Sequence, residues 1–264
     1  MAAWLALLLI GLFMLPSKVA AQISFRDDFD YPEGNLHGQG GWVHYGSQTV
    51  DPIQVVGTAL TYPGYYEKAD GKSVRLGATK SAEDLHVRFT DNDEGIKEGN
   101  VYFSAVINVE ACPKGNVYSL ALEPRTKKSV IAEGISPTEL GRVFFAPADN
   151  ADEVKIGVER GASKPVFAAE PLKLGQTYLV VMRYEINAVD QGMDNVYLYV
   201  NPASLKTEPE TPSAFIDGVN HTGSGVKSYG LQGLELRQGT NASTTAPVMN
   251  VASVRVSDSY AGLF

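Results

Sequence analysis

The strongest constraint on this chain is a hydrophobic alternation with a period of two. Val101, Phe103, Ala105, Ile107 and Val109 fall on one side of an extended segment, and Tyr102, Ser104, Asn108 and Glu110 on the other, with Val106 the exception. Successive side chains of a strand point to opposite faces of a sheet, so this is the pattern of a half-buried antiparallel strand. Residues 176–187 repeat it: Tyr178, Val180, Met182, Tyr184 and Ile186 alternate with Leu179, Val181, Arg183, Glu185 and Asn187. In residues 195–201, Val196, Leu198 and Val200 oppose Tyr197 and Tyr199. A polar, glycine-containing stretch, 188–194, lies between the last two segments, and together they predict a long hairpin.

Further strands are predicted over 23–29, 59–62, 73–76, 85–89, 117–122, 142–145, 154–158, 228–237 and 249–257. Pro63-Gly64, Asp70-Gly71, Cys112-Pro113-Lys114-Gly115 and Asp217-Gly218 separate them with turn chemistry that strand interiors reject. Helical periodicity is almost absent. Ser136-Pro137-Thr138-Glu139 has a helix-start pattern and predicts one turn. Many short strands at regular spacing predict an all-β fold, a two-sheet antiparallel β-sandwich.

The first 21 residues stand apart. An apolar run from Ala2 to Leu15 is followed by Pro16-Ser17-Lys18 and by small residues at Val19 and Ala21. This predicts a signal peptide over 1–21 and one sandwich domain over 22–264, secreted or held in the periplasm or cell envelope. The run is short for a membrane span, and no second run of spanning length follows it. Thirty acidic residues stand against twenty-two basic ones, a formal charge of −8. Such a surface repels phosphate backbones and argues against nucleic acid as a partner. The single cysteine, Cys112, rules out an intrachain disulfide, so a core must hold the domain together. Asn220-His221-Thr222 and Asn241-Ala242-Ser243 match the N-glycosylation pattern, which is common by chance.

Three stretches resemble the concanavalin A-like lectin/glucanase family, the laminin G-like jelly rolls of secreted bacterial proteins. Residues 25–36 (Phe-Arg-Asp-Asp-Phe-Asp-Tyr-Pro-Glu-Gly-Asn-Leu) with Gly41-Trp42 look like the opening strand and turn. Residues 177–184, followed by 196–202 with their closing Asn201-Pro202, look like the family's long hairpin. Val251-Ala252-Ser253-Val254-Arg255-Val256 is similar to the closing strand. The resemblance implies a concanavalin A-like jelly roll over nearly the whole mature chain, in a family of lectins, glycanases, lyases and modules without assigned roles. Relatives often carry an acid just before the closing Val-Arg-Val, near a structural calcium; Ala252 and Ser253 stand there instead.

Few residues form a recognisable catalytic pattern. Retaining glycanases need two carboxylates about 5 Å apart, and the string Glu-x-Asp-x-x-Glu that places them on a strand is absent. Glu185 and Glu235 are isolated strand acids, more in keeping with a solvated face or a pairing with Arg183 or Arg237. Gly223-Ser224-Gly225 is not a nucleophile elbow. Cys112 precedes a proline with no histidine nearby in sequence and reads as an inert thiol. His37, His44, His86 and His221 lack zinc-ligand spacing. Calcium is the better metal expectation. It takes hard oxygen ligands, and the acids clustered near the first strand nominate Asp28 and Asp30, with 91–95 a second acidic loop.

Sugar faces stack on aromatic rings while hydroxyls take hydrogen bonds from polar neighbours. On that ground Trp42, Tyr45, Tyr65, Tyr66, Tyr197 and Tyr199 are the expected ligand-binding residues. The expected function is a non-catalytic, extracytoplasmic, lectin-like domain with a glycan partner. Two alternatives stay open: a glycoside hydrolase or polysaccharide lyase of the same fold, and a structural or adhesion domain that binds protein. Convergent acids or a Tyr–His pair in a cleft favour an enzyme, and a groove of Tyr and Trp without paired acids favours a lectin.

Overall fold

The computed structural model describes residues 23–45, 49–77, 82–124, 140–161, 164–187, 189, 193–219, 230–238 and 244–264. The expected signal peptide, the turn at 136–139, both glycosylation triplets, the 223–225 glycine loop and part of the 188–194 turn lie outside them. The described strands are, in chain order, β1 (Ser24–Asp27), β2 (Gly34–Asn35), β3 (Val43–Tyr45), β4 (Gln54–Val56), β5 (Ser73–Leu76), β6 (Asp84–Arg88), β7 (Gly99–Ala111), β8 (Val117–Pro124), β9 (Gly141–Pro147), β10 (Glu153–Arg160), β11 (Val166–Phe167), β12 (Leu172–Lys173), β13 (Thr177–Ile186), β14 (Asn195–Val200), β15 (Ala214–Ile216), β16 (Leu231–Arg237) and β17 (Val248–Ser257).

They form two antiparallel sheets. The larger runs β15-β14-β13-β7-β17-β5-β4-β2, with β1 also paired to β17; the smaller runs β11-β10-β9-β8-β16-β6-β3, with β12 paired to β10. This is the expected all-β sandwich of the jelly-roll type. The β13–β14 hairpin pairs Val180 with Val200 through Glu185 with Asn195. The region 59–62, expected as a strand, carries only an isolated bridge between Tyr62 and Tyr66.

The two inner faces enclose one core. Val101, Phe103, Ala105, Ile107 and Val109 of β7 enter it beside Val180, Met182 and Tyr184 of β13. From the smaller sheet, Leu85, Leu236, Leu120, Val143 and Val158 lie across from one another in register and fill the opposite side. A bulge keeps β17 in phase. Its register against β7 shifts between Ala252 and Arg255, where Ser253 adopts φ 46°. Met249 and Val251 before the bulge, and Val254 and Val256 after it, therefore all face the core.

At one crossing the main chains come too close for any side chain. Gly95 has φ +65°, and a Cβ there would stand 2.6 Å from the Gly230 carbonyl. Next to it Ile96 and Leu231 exchange two backbone hydrogen bonds of 2.8 Å. Gly95→Ala is therefore expected to cost roughly 2–4 kcal/mol, from the left-handed backbone and the backbone clash together. Urea unfolding measures it; a loss below about 0.5 kcal/mol contradicts the close approach.

Candidate functional site

The smaller sheet turns an unusual face outward. Leu85, Leu236, Leu120, Val143 and Val158 point into the core, so their strand neighbours point away from it. Those neighbours form one cross-strand row in register: His86, Glu235, Ala121, Arg142 and Glu159. Beside it lie Asp84 opposite Tyr45 and Arg237, Arg88 and Glu123 opposite Gly233, and Tyr118 opposite Phe144. An outward sheet face is normally solvated, yet His86, Glu123, Glu159 and Glu235 are buried.

The contacts on this face are specific. His86 Nδ1 lies 2.9 Å from Glu123 Oε2. Arg142 Nη1 donates to Glu159 Oε2 at 2.7 Å and to the Gly161 carbonyl at 2.8 Å. Its guanidinium also sits 4.7 Å from the Tyr118 ring centroid, and that of Arg237 sits 4.2 Å from the same ring. Arg237 Nε lies 3.8 Å from Asp84 Oδ2. Tyr45 meets His86 edge-on at 5.3 Å. Nearby, His44 stacks on His37 at 3.6 Å and approaches the buried Glu83 at 3.1 Å. Tyr45 is thus brought to a polar aromatic cluster in which Asp84 lies 39 residues away in sequence and Arg237 192. Each is an ordinary strand residue when read alone.

The larger sheet's outward face is covered by a second, smaller core. Tyr102, Val106, Leu179, Val181 and Ala252 project there, and Leu60, Tyr65, Tyr66, Tyr260 and Leu263 pack over them. Here the ligand-surface expectation for Tyr65, Tyr66 and Tyr199 is corrected: all three rings are buried. Tyr65 donates to the Ser253 carbonyl at 2.6 Å, and burial pushes its phenol up to about 12. Tyr199 donates to Glu208 Oε1, and burial followed by that carboxylate raises its phenol. Their placement follows from apolar residues on both faces of β7 and β13, which leave an outward surface needing cover.

Tyr197 differs. It lies at the margin of that cover, in register between Arg183 and Phe215. Its ring is 3.7 Å from the Arg183 guanidinium and 4.6 Å from the Phe215 ring, which is 37% exposed. Its hydroxyl donates to Glu185 Oε2 at 2.8 Å. Burial pushes the Glu185 carboxyl up, but hydrogen bonds from Asn195 and Tyr197 outweigh it and leave the group below its ordinary range.

Trp42 is corrected as well. Its indole is 0% exposed and meets the Phe29 ring at a tilt, centroids 5.9 Å apart, and Nε1 donates to Asp27 Oδ2 at 2.7 Å. It fills one end of the sandwich and offers no face to a ligand. The calcium expectation at Asp28 and Asp30 also finds its donors engaged. Asp28 accepts from Arg26 at 2.7 Å and from Ser253 at 2.7 Å, and Asp30 pairs with Lys68 at 2.9 Å. Among the described residues no three His, Cys, Asp or Glu side chains converge to hold a metal. The residues present do not fit a calcium site.

No protein-family profile matches the chain, and neither does any curated protein. Solved structures do. A variant of the alginate lyase Aly36B in complex with alginate trisaccharide superposes with a TM-score of 0.51 at 9% identity, covering 90% of this chain and 98% of that one. An endo-β-1,4-glucuronan lyase from the fungus Trichoderma reesei gives 0.49 at 8% identity, covering 90% and 97%. Lectin II from Ulex europaeus gives 0.44 at 14% identity, covering 89% and 97%. At these identities the likeness is one of architecture. This chain has the concanavalin A-like jelly-roll fold.

Proposed function

We propose that this protein binds a glycan on the outer face of the smaller sheet and does not turn it over. One observation carries the reading: two guanidiniums lie over the half-buried Tyr118 ring, at 4.2 and 4.7 Å from its centroid, next to a row of in-register charged side chains. A sugar presents hydroxyls that take charge-assisted hydrogen bonds from guanidiniums, and the aromatic ring beneath holds these in a plane. Glu159 and the Gly161 carbonyl hold Arg142 in place, so the surface is ordered before a ligand arrives. The fold accommodates both binding and processing of polysaccharide, and does not by itself assign either.

The second reading is an enzyme acting on the same glycan. It is favoured by Tyr45 set edge-on to His86, with Glu123 on the imidazole's Nδ1. A phenol and an imidazole can pass a proton once they come within hydrogen-bond reach of each other or of the same substrate. Binding stands first because His86 and Glu123 are both buried, away from the reach of a polymer. We place the protein outside the cytoplasm on its N-terminal apolar run and the small residues Val19 and Ala21 that follow it. Among the described residues no helix is long and apolar enough to cross a membrane.

A glycan array with neutral and uronate polysaccharides tests the proposal. Binding is expected, and Tyr118→Ala or Arg237→Ala should weaken it by about 10- to 100-fold, or 1.4–3 kcal/mol, while far-ultraviolet dichroism stays unchanged. A turnover assay on every glycan retained by the array separates the two readings. Cleavage lost in Tyr45→Phe establishes the enzyme; retention without cleavage establishes the binding protein.

A further inference from the structure

A cleft of about 400 Å³ opens on the flank of the sandwich, between residues 168–172, the ends of β13 and β14, and residues 212–213. That volume is at the low end of the roughly 300–1,000 Å³ that small-molecule sites occupy. The Tyr178 ring, Pro171 and Pro212 give it apolar walls, and Glu170, Asn201 and Ser213 supply the polar groups. It is lined by the ends of β13 and β14 of the larger sheet and by the segment joining β11 to β12 of the smaller one, and none of its residues belongs to the row on the smaller sheet's outer face.

Existing hydrogen bonds determine what each polar group has left to give. Asn201 Oδ1 accepts the Leu179 backbone N–H at 2.9 Å, which sets the orientation of the amide and leaves its NH₂ as the edge for a ligand. Ser213 Oγ accepts the Val200 N–H at 3.0 Å, so its own proton is the one it can donate. The Tyr178 hydroxyl accepts from Lys173 N at 2.8 Å and lies 3.3 Å from Gln176 Oε1, so its ring rather than its hydroxyl is available. Glu170 is exposed and contributes an acceptor with a negative charge. The cleft therefore combines one aromatic wall, two donors and one anionic acceptor.

We infer that this cleft is a second binding site, and that it takes the terminal residue of a neutral sugar chain. The pyranose ring lies against Tyr178, and a pair of neighbouring hydroxyls bridges the Glu170 carboxylate and the Asn201 and Ser213 donors. A uronate is disfavoured there because its carboxylate meets Glu170. The inference does not depend on the reading of the smaller sheet.

The test is a titration of the ¹⁵N-labelled protein with D-glucose, D-galactose, D-mannose, D-xylose and L-fucose, and with D-glucuronate as the anionic control. At least one neutral sugar is expected to shift the amides of 168–172 and 200–201, with glucuronate silent. Ala169→Trp, which fills the cleft without removing a hydrogen bond, should abolish those shifts, and Glu170→Gln should weaken them about tenfold. Tyr118→Ala should leave them unchanged, which separates this site from the one on the smaller sheet. The inference is overturned if no neutral sugar at about 100 mM moves these amides. It is equally overturned if Ala169→Trp and Glu170→Arg both respond like the parent protein, or if glucuronate shifts the same amides.

Discussion

Asp27→Ala is expected to lower the stability of the protein by about 3–5 kcal/mol, read as a shift in the urea midpoint at constant slope. Three donors converge on this one carboxylate. Trp42 Nε1 and the Tyr31 hydroxyl reach Oδ2 at 2.7 and 2.9 Å, and the Phe29 backbone N–H reaches Oδ1 at 2.8 Å. The indole and the Phe29 amide are buried, and neither finds water once the acceptor is gone. Asp27 also holds Phe29 at φ 54°, a left-handed conformation that an aromatic residue adopts only under constraint. Asp27→Asn should fall between the two, because its NH₂ would face another donor at either oxygen position.

The same variant carries a pH signature. Burial is the leading cause that pushes the Asp27 carboxyl above its ordinary range, and the hydrogen bonds from Trp42, Phe29 and Tyr31 offset only part of it. A carboxyl raised in the folded state contributes stability that is complete below its unfolded pKa of about 3.9 and is lost as pH climbs through the folded value. Asp27→Asn should flatten that part of the stability profile. An Asp27→Ala protein as stable as the parent would mean that the opening turn is not built around this carboxylate.

The second large effect is expected at Arg255. Its guanidinium is buried, donates to the Leu263 and Tyr65 carbonyls at 2.6 Å each, and lies 3.9 Å from the Tyr65 ring. Burial also pulls its pKa below the ordinary arginine value. It ties residues 260–264 and the 62–66 turn to the outward face of β17. Arg255→Ala leaves two carbonyls without their donor and removes a stacked cation, for a loss of roughly 2–4 kcal/mol. Arg255→Lys should recover less than half of this, since an ammonium cannot present the planar fork that serves both carbonyls. Hydrogen exchange should speed up over 260–264 and 62–66 while β7 and β13 stay protected. Unchanged exchange in those segments would contradict the account of the second core.

The alternation made the inner core legible. β5 lies at 73–76 as expected, and β7, β8, β9, β10, β13, β14 and β17 lie within two residues of the expected boundaries. The second core was less legible, although its signal was present. Val106 breaks the polar face of β7, and Leu179 and Val181 leave β13 apolar on both sides. Such residues demand a cover, and the tyrosines expected at a ligand surface supply it. In β17 the bulge at Ser253 hides the pattern, because a strict period of two sets Val251, Ser253 and Arg255 on one face. The row on the smaller sheet could not be read from spacing at all. His86, Arg142, Glu159 and Glu235 come from four strands whose adjacency is set by sheet topology, and no local motif joins them.

The central claim is that a glycan lies over the cluster of Arg142, Tyr118 and Arg237 on the smaller sheet. It is tested most directly by mapping amide shifts in the labelled protein with the polysaccharide fragment that the array retains best. The account predicts shifts concentrated on β8, β9 and β16 around Tyr118, Arg142 and Arg237, and their disappearance in Tyr118→Ala with the fold intact. Shifts confined to the opposite sheet, or indifferent to that substitution, would contradict it.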